Sequence, residues 1–228
     1  MLLRIILAVL WMGLPLAAQT VQPIITEYKA KADGKFAVTN NTLAPMVVVL
    51  EPKSFSITPD GKGIFRALDP QIHVELSTRS VTLRPGETSY VFYKATSDHL
   101  PAWFTVYATF SAAHHGPGLD VRIMLPHTVY LYQRQPIEQD DVQVDSVLYS
   151  PGSRKLVCTV SNAGASLARV QMVEARGGRE SEDAAGFPFL PGAKRRIEID
   201  WNKDSPPTEL SLRFEHFTIK RPVTAGDQ

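Results

Sequence analysis

Turn signals cut this chain into short pieces every eight to fifteen residues, and no piece sustains an apolar period of 3.6 residues. Phe36-Ala37-Val38 runs into the turn pair Asn40-Asn41. Met46 to Leu50 is a continuous apolar run, read as a strand buried on both faces. Val74 to Leu83 carries scattered apolar residues and stops at Pro85-Gly86, and Tyr90 to Tyr93 resumes after it. Trp103 to Phe110 is aromatic and β-branched. In the second half, Val142, Val144 and Val147 lead to Ser150-Pro151-Gly152, and Leu156, Cys158 and Val160 alternate up to Asn162-Ala163-Gly164. Ala168 to Val173 is another strand, Leu190-Pro191-Gly192 a turn, and Ile197, Ile199 and Trp201 alternate again. Leu210, Leu212 and Phe214 form the last clear strand, with a loose tail expected after Pro222. Such spacing excludes a helical bundle and predicts an all-β protein of antiparallel sandwiches.

One stretch stands apart. In Leu119 to Tyr132, the residues Val121, Ile123 and Leu125 share one face of an extended segment, and the alternation resumes at Val129 and Leu131 beyond Pro126. The polar, aperiodic segment Gln133 to Asp141 comes next and reads as a linker. An apolar strand at the end of one domain has two readings. Most such strands cover their own core. One with an open edge can instead lend its side chains to a partner that lacks a strand.

The N-terminus reads as a secretory signal over residues 1–18: Arg4, then an apolar run from Ile5 to Leu14, then Pro15-Leu16-Ala17-Ala18. The run falls short of the roughly 20 residues that span a bilayer. The remaining chain is long enough for one large β domain or two of about 100 residues. A formal charge of +1 provides no field to attract nucleic acid or an anionic surface. Cys158 is the only cysteine, so no intramolecular disulfide forms; between Val157 and Val160 it reads as buried and unreactive.

Several segments together resemble the periplasmic chaperones of the chaperone–usher pilus pathway. They are Phe36 to Asn41, Val81-Thr82-Leu83-Arg84-Pro85-Gly86, Val121 to Leu125 running on to Tyr132 and Arg134, Val160 to Gly164, and Leu190-Pro191-Gly192-Ala193-Lys194-Arg195. The resemblance implies two immunoglobulin-like β-sandwich domains in a boomerang arrangement, over residues 19–134 and 142–222, with a linker at 135–141 and a tail at 223–228. It implies a periplasmic chaperone that donates Val121, Ile123, Leu125 and Val129 to secreted pilus subunits and works with an outer-membrane usher. No cofactor is implied, and weak self-association through the donor edge is a further expectation. The family holds a subunit's terminal carboxylate with a basic pair in the interdomain cleft. Here Tyr130 falls where the Lys of that pair stands, the first strand has no Arg, and Lys29 and Lys31 are the substitutes in reach.

Other constellations point away from enzymatic chemistry and metal binding. His114-His115 beside Gly116-Pro117-Gly118 reads as a solvated hairpin loop, because adjacent histidines on an extended chain point apart. His73, His99, His127 and His216 show no ligand spacing, and His127 reads as a surface residue. No serine-nucleophile motif or phosphate loop occurs, and Asp140-Asp141 read as solvated or capping charges. Arg195-Arg196, with Glu198 and Asp200 after it, reads as a mixed strand face. Two other functions compete with the chaperone: an adhesion or scaffold module without donor activity, and a carbohydrate-binding module using Trp103, Tyr107, Tyr130 and Tyr132.

Overall fold

The structure is a computed structural model that describes residues 18–113, 121–132 and 136–226. The signal segment up to Ala17, the loop of His114 to Gly118, Arg134 and the last two tail residues lie outside the described residues. The described chain is β throughout apart from a single 3₁₀ turn at Gln139–Asp141.

The first unit is a sandwich. Its four-stranded sheet has the order β1 (Thr20–Gln22), β3 (Ala32–Thr39), β8 (Thr88–Ser97), β6 (Ile72–Leu76). Its six-stranded sheet has the order β2 (Ile25–Tyr28), β10 (Ile123–Leu131), β9 (Ala102–Ala112), β4 (Met46–Ile57), β5 (Gly63–Ala67), with β7 (Ser80–Leu83) also paired to β4. Phe36, Val38, Val48, Val91, Phe104, Val106, Phe110, Val129 and Leu131 interleave from both sheets into one core. The first strand changes sheets: β1 pairs antiparallel with β3, then β2 pairs parallel with β10.

The second unit contains β11 (Val142–Val144), β12 (Val147–Ser150), β13 (Lys155–Asn162), β14 (Ala168–Gly177), β15 (Glu180–Phe189), β16 (Lys194–Asp200), β17 (Glu209–Arg213) and β18 (Thr218–Ala225). β13 lies between β16 and the pair β11/β12, while β14 lies between β15 and β17. The early strand β12 again pairs parallel with the last strand, β18. Leu156, Val160, Val170, Phe189, Trp201, Leu210, Leu212 and Ile219 form its core. The same sandwich plan is thus built twice.

The two units share a turn device. Buried Asn40 donates its side-chain amide to the carbonyls of Ala44, Leu83 and Arg84, and its Oδ1 accepts from Thr42. Its backbone clasps the Pro85-Gly86 turn through Gly86 N–H to Asn40 O at 2.8 Å. Buried Asn162 does the same in the second unit, donating to Ser166 and Phe189 and accepting from Gly164 N–H, while Gly192 N–H bonds Asn162 O at 2.9 Å. An Asn serves here because one short side chain satisfies orphan carbonyls and an amide N–H together.

Several expectations need correction. Val49 is 48 % exposed, so Met46 to Leu50 is buried on one face only; the outer face of the six-stranded sheet meets solvent. Val74 to Leu83 is two strands, β6 and β7, which join different sheets. The chain after Pro222 is not loose: Val223 to Ala225 pair with β12, and Gly226 N–H bonds Tyr149 O. His127 is fully buried, stacked on Phe36 at 4.5 Å, because it occupies the inward register of β10. Asp141 does cap: its carboxylate accepts from Glu138 N–H at 3.2 Å. Cys158 is buried, and burial pushes its thiol up to about 12.

Candidate functional site

β10 is continuous through Pro126, and its register against β9 runs unbroken from Ile123↔Phe110 to Leu131↔Ala102. The opposite edge is only half covered. β2 pairs with Thr128 to Leu131, and among the described residues no strand pairs with Ile123 to His127 on that side. Thr128 N–H donates outward to Ile24 O at 2.7 Å, and Tyr132 N–H to Tyr28 O at 3.1 Å. Backbone groups alternate sides along a strand, so even-numbered residues present theirs to this edge. Pro126 therefore costs the β9–β10 ladder no hydrogen bond. It removes a donor from the open edge instead, leaving the Met124 N–H and the carbonyls of Met124 and Pro126 there.

Side chains on the open half grade from outside to inside. Val121, two residues before β10 begins, is 53 % exposed, Ile123 and Leu125 are half-buried against the first core, and Val129 is completely buried within it. Val129 thus faces its own sandwich, with its edge already taken by β2. The outward register carries Met124, 51 % exposed, and then Tyr130.

His127 anchors the boundary between the open and covered halves. A carbonyl only accepts, so Nδ1–H donates to Pro23 O at 2.7 Å, tying β10 to the chain between β1 and β2. Nε2 is buried without a partner. Desolvation holds this imidazole below its ordinary pKa, partly offset by the Pro23 bond.

The covered end of β10 meets the second unit. Tyr130, Phe55 and Leu190 form a buried cluster, with Trp103, Tyr132, Ile57 and Leu167 packed around it. Trp103 Nε1–H donates to Phe55 O at 2.8 Å. The β4–β5 hairpin reaches across the junction, where Arg196 N–H donates to Pro59 O at 2.8 Å. Burial raises the Tyr130 hydroxyl above its ordinary value. Three of the four aromatics noted in the sequence meet here, while Tyr107 packs on Phe65.

Beside this cluster lies a cleft of about 520 Å³, lined by Glu27, Tyr132, Leu167, Arg169, Phe214 and Phe217 among others. Lys29 and Lys31 are exposed and do not line it. The residue opposite Tyr130 on the first strand is Glu27. Its carboxylate accepts from Arg169 Nη2 at 2.9 Å and from Tyr132 Oη at 3.1 Å, and the Arg169 guanidinium lies 5.9 Å from the Tyr130 ring centroid. The cation of the cleft comes from the second unit and is paired with an acid from the first. Sequence reasoning missed both residues, because it looked for basic side chains on β2 and β10 alone.

No protein-family model matches the chain, and no curated protein is similar to it in sequence. Solved structures are similar in fold. The class 5 fimbriae chaperone CfaA is 12 % identical with a TM-score of 0.53, over 91 % of this chain and 99 % of that one. A chain from the complex of Salmonella enterica SafA pilin with the SafB chaperone is 12 % identical with a TM-score of 0.53, over 92 % and 98 %. A chain from the CsuC–CsuE chaperone–tip adhesion subunit complex of Acinetobacter baumannii is 14 % identical with a TM-score of 0.50, over 92 % and 100 %. The chain has the two-domain, immunoglobulin-like β-sandwich fold of the fimbrial chaperones.

Proposed function

We propose that this protein is an exported, periplasmic chaperone that binds strand-deficient fimbrial subunits along the open half of β10. The carrying observation is the edge of β10 from Ile123 to His127: among the described residues no strand pairs with it on one side, its side chains Ile123 and Leu125 are half-buried, the exposed Val121 leads into it, and it continues into a half anchored in the core. A subunit lacking its last strand exposes a groove with unpaired edges, and such edges aggregate. The open half of β10 supplies main-chain partners, and Val121, Ile123 and Leu125 supply apolar contacts. Each fully buried side chain of this size contributes on the order of 1.5–3 kcal/mol, and Ile123 and Leu125 less because they start half-buried. Association entropy offsets part of that gain. The likeness to chaperones solved with a pilin or a tip subunit supports the reading. The domain limits 19–134 and 142–222, transfer to an outer-membrane usher, and a contact of the cleft with the subunit belong to the same proposal.

Co-expression with a small secreted fimbrial subunit tests it. Ile123→Asp and Val121→Asp are expected to leave the protein folded and to abolish co-purification of the subunit. Val121→Asp decides the matter, since its exposed position carries little of the fold; retention of the subunit by that variant would sink the donor role. Burial of Val129 and Leu131 in their own sandwich favours the competing scaffold module, which predicts no effect of Val121→Asp.

A further inference from the structure

The six-stranded sheet has a second open edge, far from β10 in strand order. β5 pairs with β4 alone, and every one of its residues, Gly63 to Ala67, is exposed. Thr58 N–H donates to Lys62 O at 2.9 Å, so Thr58 and Lys62 are a hydrogen-bonded pair. In the register Ile57↔Gly63, Ser56↔Ile64 and Ser54↔Arg66, hydrogen-bonded pairs recur every second residue. Ile64 and Arg66 therefore point their backbone groups at β4. Gly63, Phe65 and Ala67 point theirs outward, three N–H and three C=O groups in a row.

Natural edge strands are blunted by proline, by free charges, by bulges or by a covering loop. β5 has none of these among the described residues. It contains no proline, its only charge is Arg66, and Asp69 neutralises that side chain through contacts of 3.1 and 2.7 Å. Ile64 and Phe65 are 54 % and 44 % exposed.

We propose that β5 is the interface between two copies of this chain, paired antiparallel about a two-fold axis at Phe65. The strand is self-complementary in that register. Phe65 meets Phe65 of the second copy and Gly63 meets its Ala67, which pairs all six outward groups. The two Phe65 rings become cross-strand neighbours, an arrangement that aromatic pairs favour. Lys62 has no ion pair among the described residues and lies on the side-chain face of Ile64 and Arg66. Two-fold pairing brings it opposite Leu68 of the second copy, beside the carboxylate of Asp69 there. The dimer leaves both β10 edges open, so it does not depend on the chaperone reading.

Sedimentation equilibrium of the full chain, from micromolar to millimolar, reads the result. The expected outcome is a reversible doubling of mass. Ala67→Pro removes only an outward N–H, so it is expected to weaken dimerisation at least about tenfold with an unchanged melting curve. Phe65→Lys is expected to weaken dimerisation as well, with a lower melting temperature because the ring also packs on Tyr107 and Phe55, and Val121→Asp to leave the dimer intact. A monomer throughout that range overturns the proposal, as does a dimer that survives Ala67→Pro. So does a monomer whose Phe65 amide is protected by a co-purified foreign polypeptide, which would assign the edge to that segment.

Discussion

Glu27 and Arg169, 142 residues apart in sequence, meet at 2.9 Å across the junction of the two sandwiches. The pair lies over the ring of Tyr130, and both side chains keep more than a third of their surface in water. Exposed pairs contribute about 0–1 kcal/mol. Arg169→Ala is therefore expected to cost no more than about 1 kcal/mol in urea unfolding. A loss above about 2 kcal/mol would mean that the buried Tyr130 cluster depends on the guanidinium cover.

Position along β10 sets the cost of a charge. Val129→Asp places a carboxylate in a fully closed core and is expected to prevent accumulation of folded protein. Val121→Asp, just before β10 begins, is expected to shift the melting temperature by no more than a few degrees. Thermal melts of both variants check the gradient, and equal losses would show that the strand is sealed along its whole length.

His127 makes stability fall on the acid side. The unfolded imidazole binds its proton near pH 6.5, and the buried one only at a lower pH. The unfolded state then holds more protons between the two values. Stability is whole above about pH 6.5 and declines below it, by at most about 1.4 kcal/mol per pH unit. In urea titrations between pH 7 and 5, His127→Gln is expected to flatten this dependence. A slope unchanged by the substitution would assign it to other groups.

Asn40 and Asn162 hold equivalent turns, so their loss is expected to cost alike. Asn162→Ala strands the buried carbonyl of Phe189 and the part-buried Ser166 carbonyl and Gly164 N–H, and about 2–4 kcal/mol is expected, with about 1–3 kcal/mol from the buried group and less from the two that water can reach. Asn40→Ala is expected to match it within about 1 kcal/mol. Hydrogen exchange of each unit, measured separately, tests whether each loss stays in its own sandwich.

Much of this architecture is local and was legible in the chain. Alternation in Leu156, Cys158 and Val160, or Ile197, Ile199 and Trp201, and turns such as Pro85-Gly86 depend on neighbours a few residues away. Elements without that local imprint were missed. β15, Glu180 to Phe189, carries little apolar alternation and is a strand because β14 pairs along it. β5 is exposed throughout and exists because β4 runs on past β9 to pair with it. Pro222 suggested an ending, yet β18 continues past it because β12 offers an edge.

The site divides along the same line. Period-two patterning determined that Ile123, Leu125 and Val129 share one face, while polarity placed His127 at the surface and the continuous register of β10 turns it inward with them. Which stretch of that face is open depends on how far β2 travels along β10, and that is set by a sheet switch near Pro23 more than a hundred residues upstream. His127 took its register into the core, against its own polarity, because a carbonyl from Pro23 was there to accept its proton. The charge of the cleft was likewise decided by contacts between the sandwiches: Arg169 reaches Glu27 only because the two cores pack side by side.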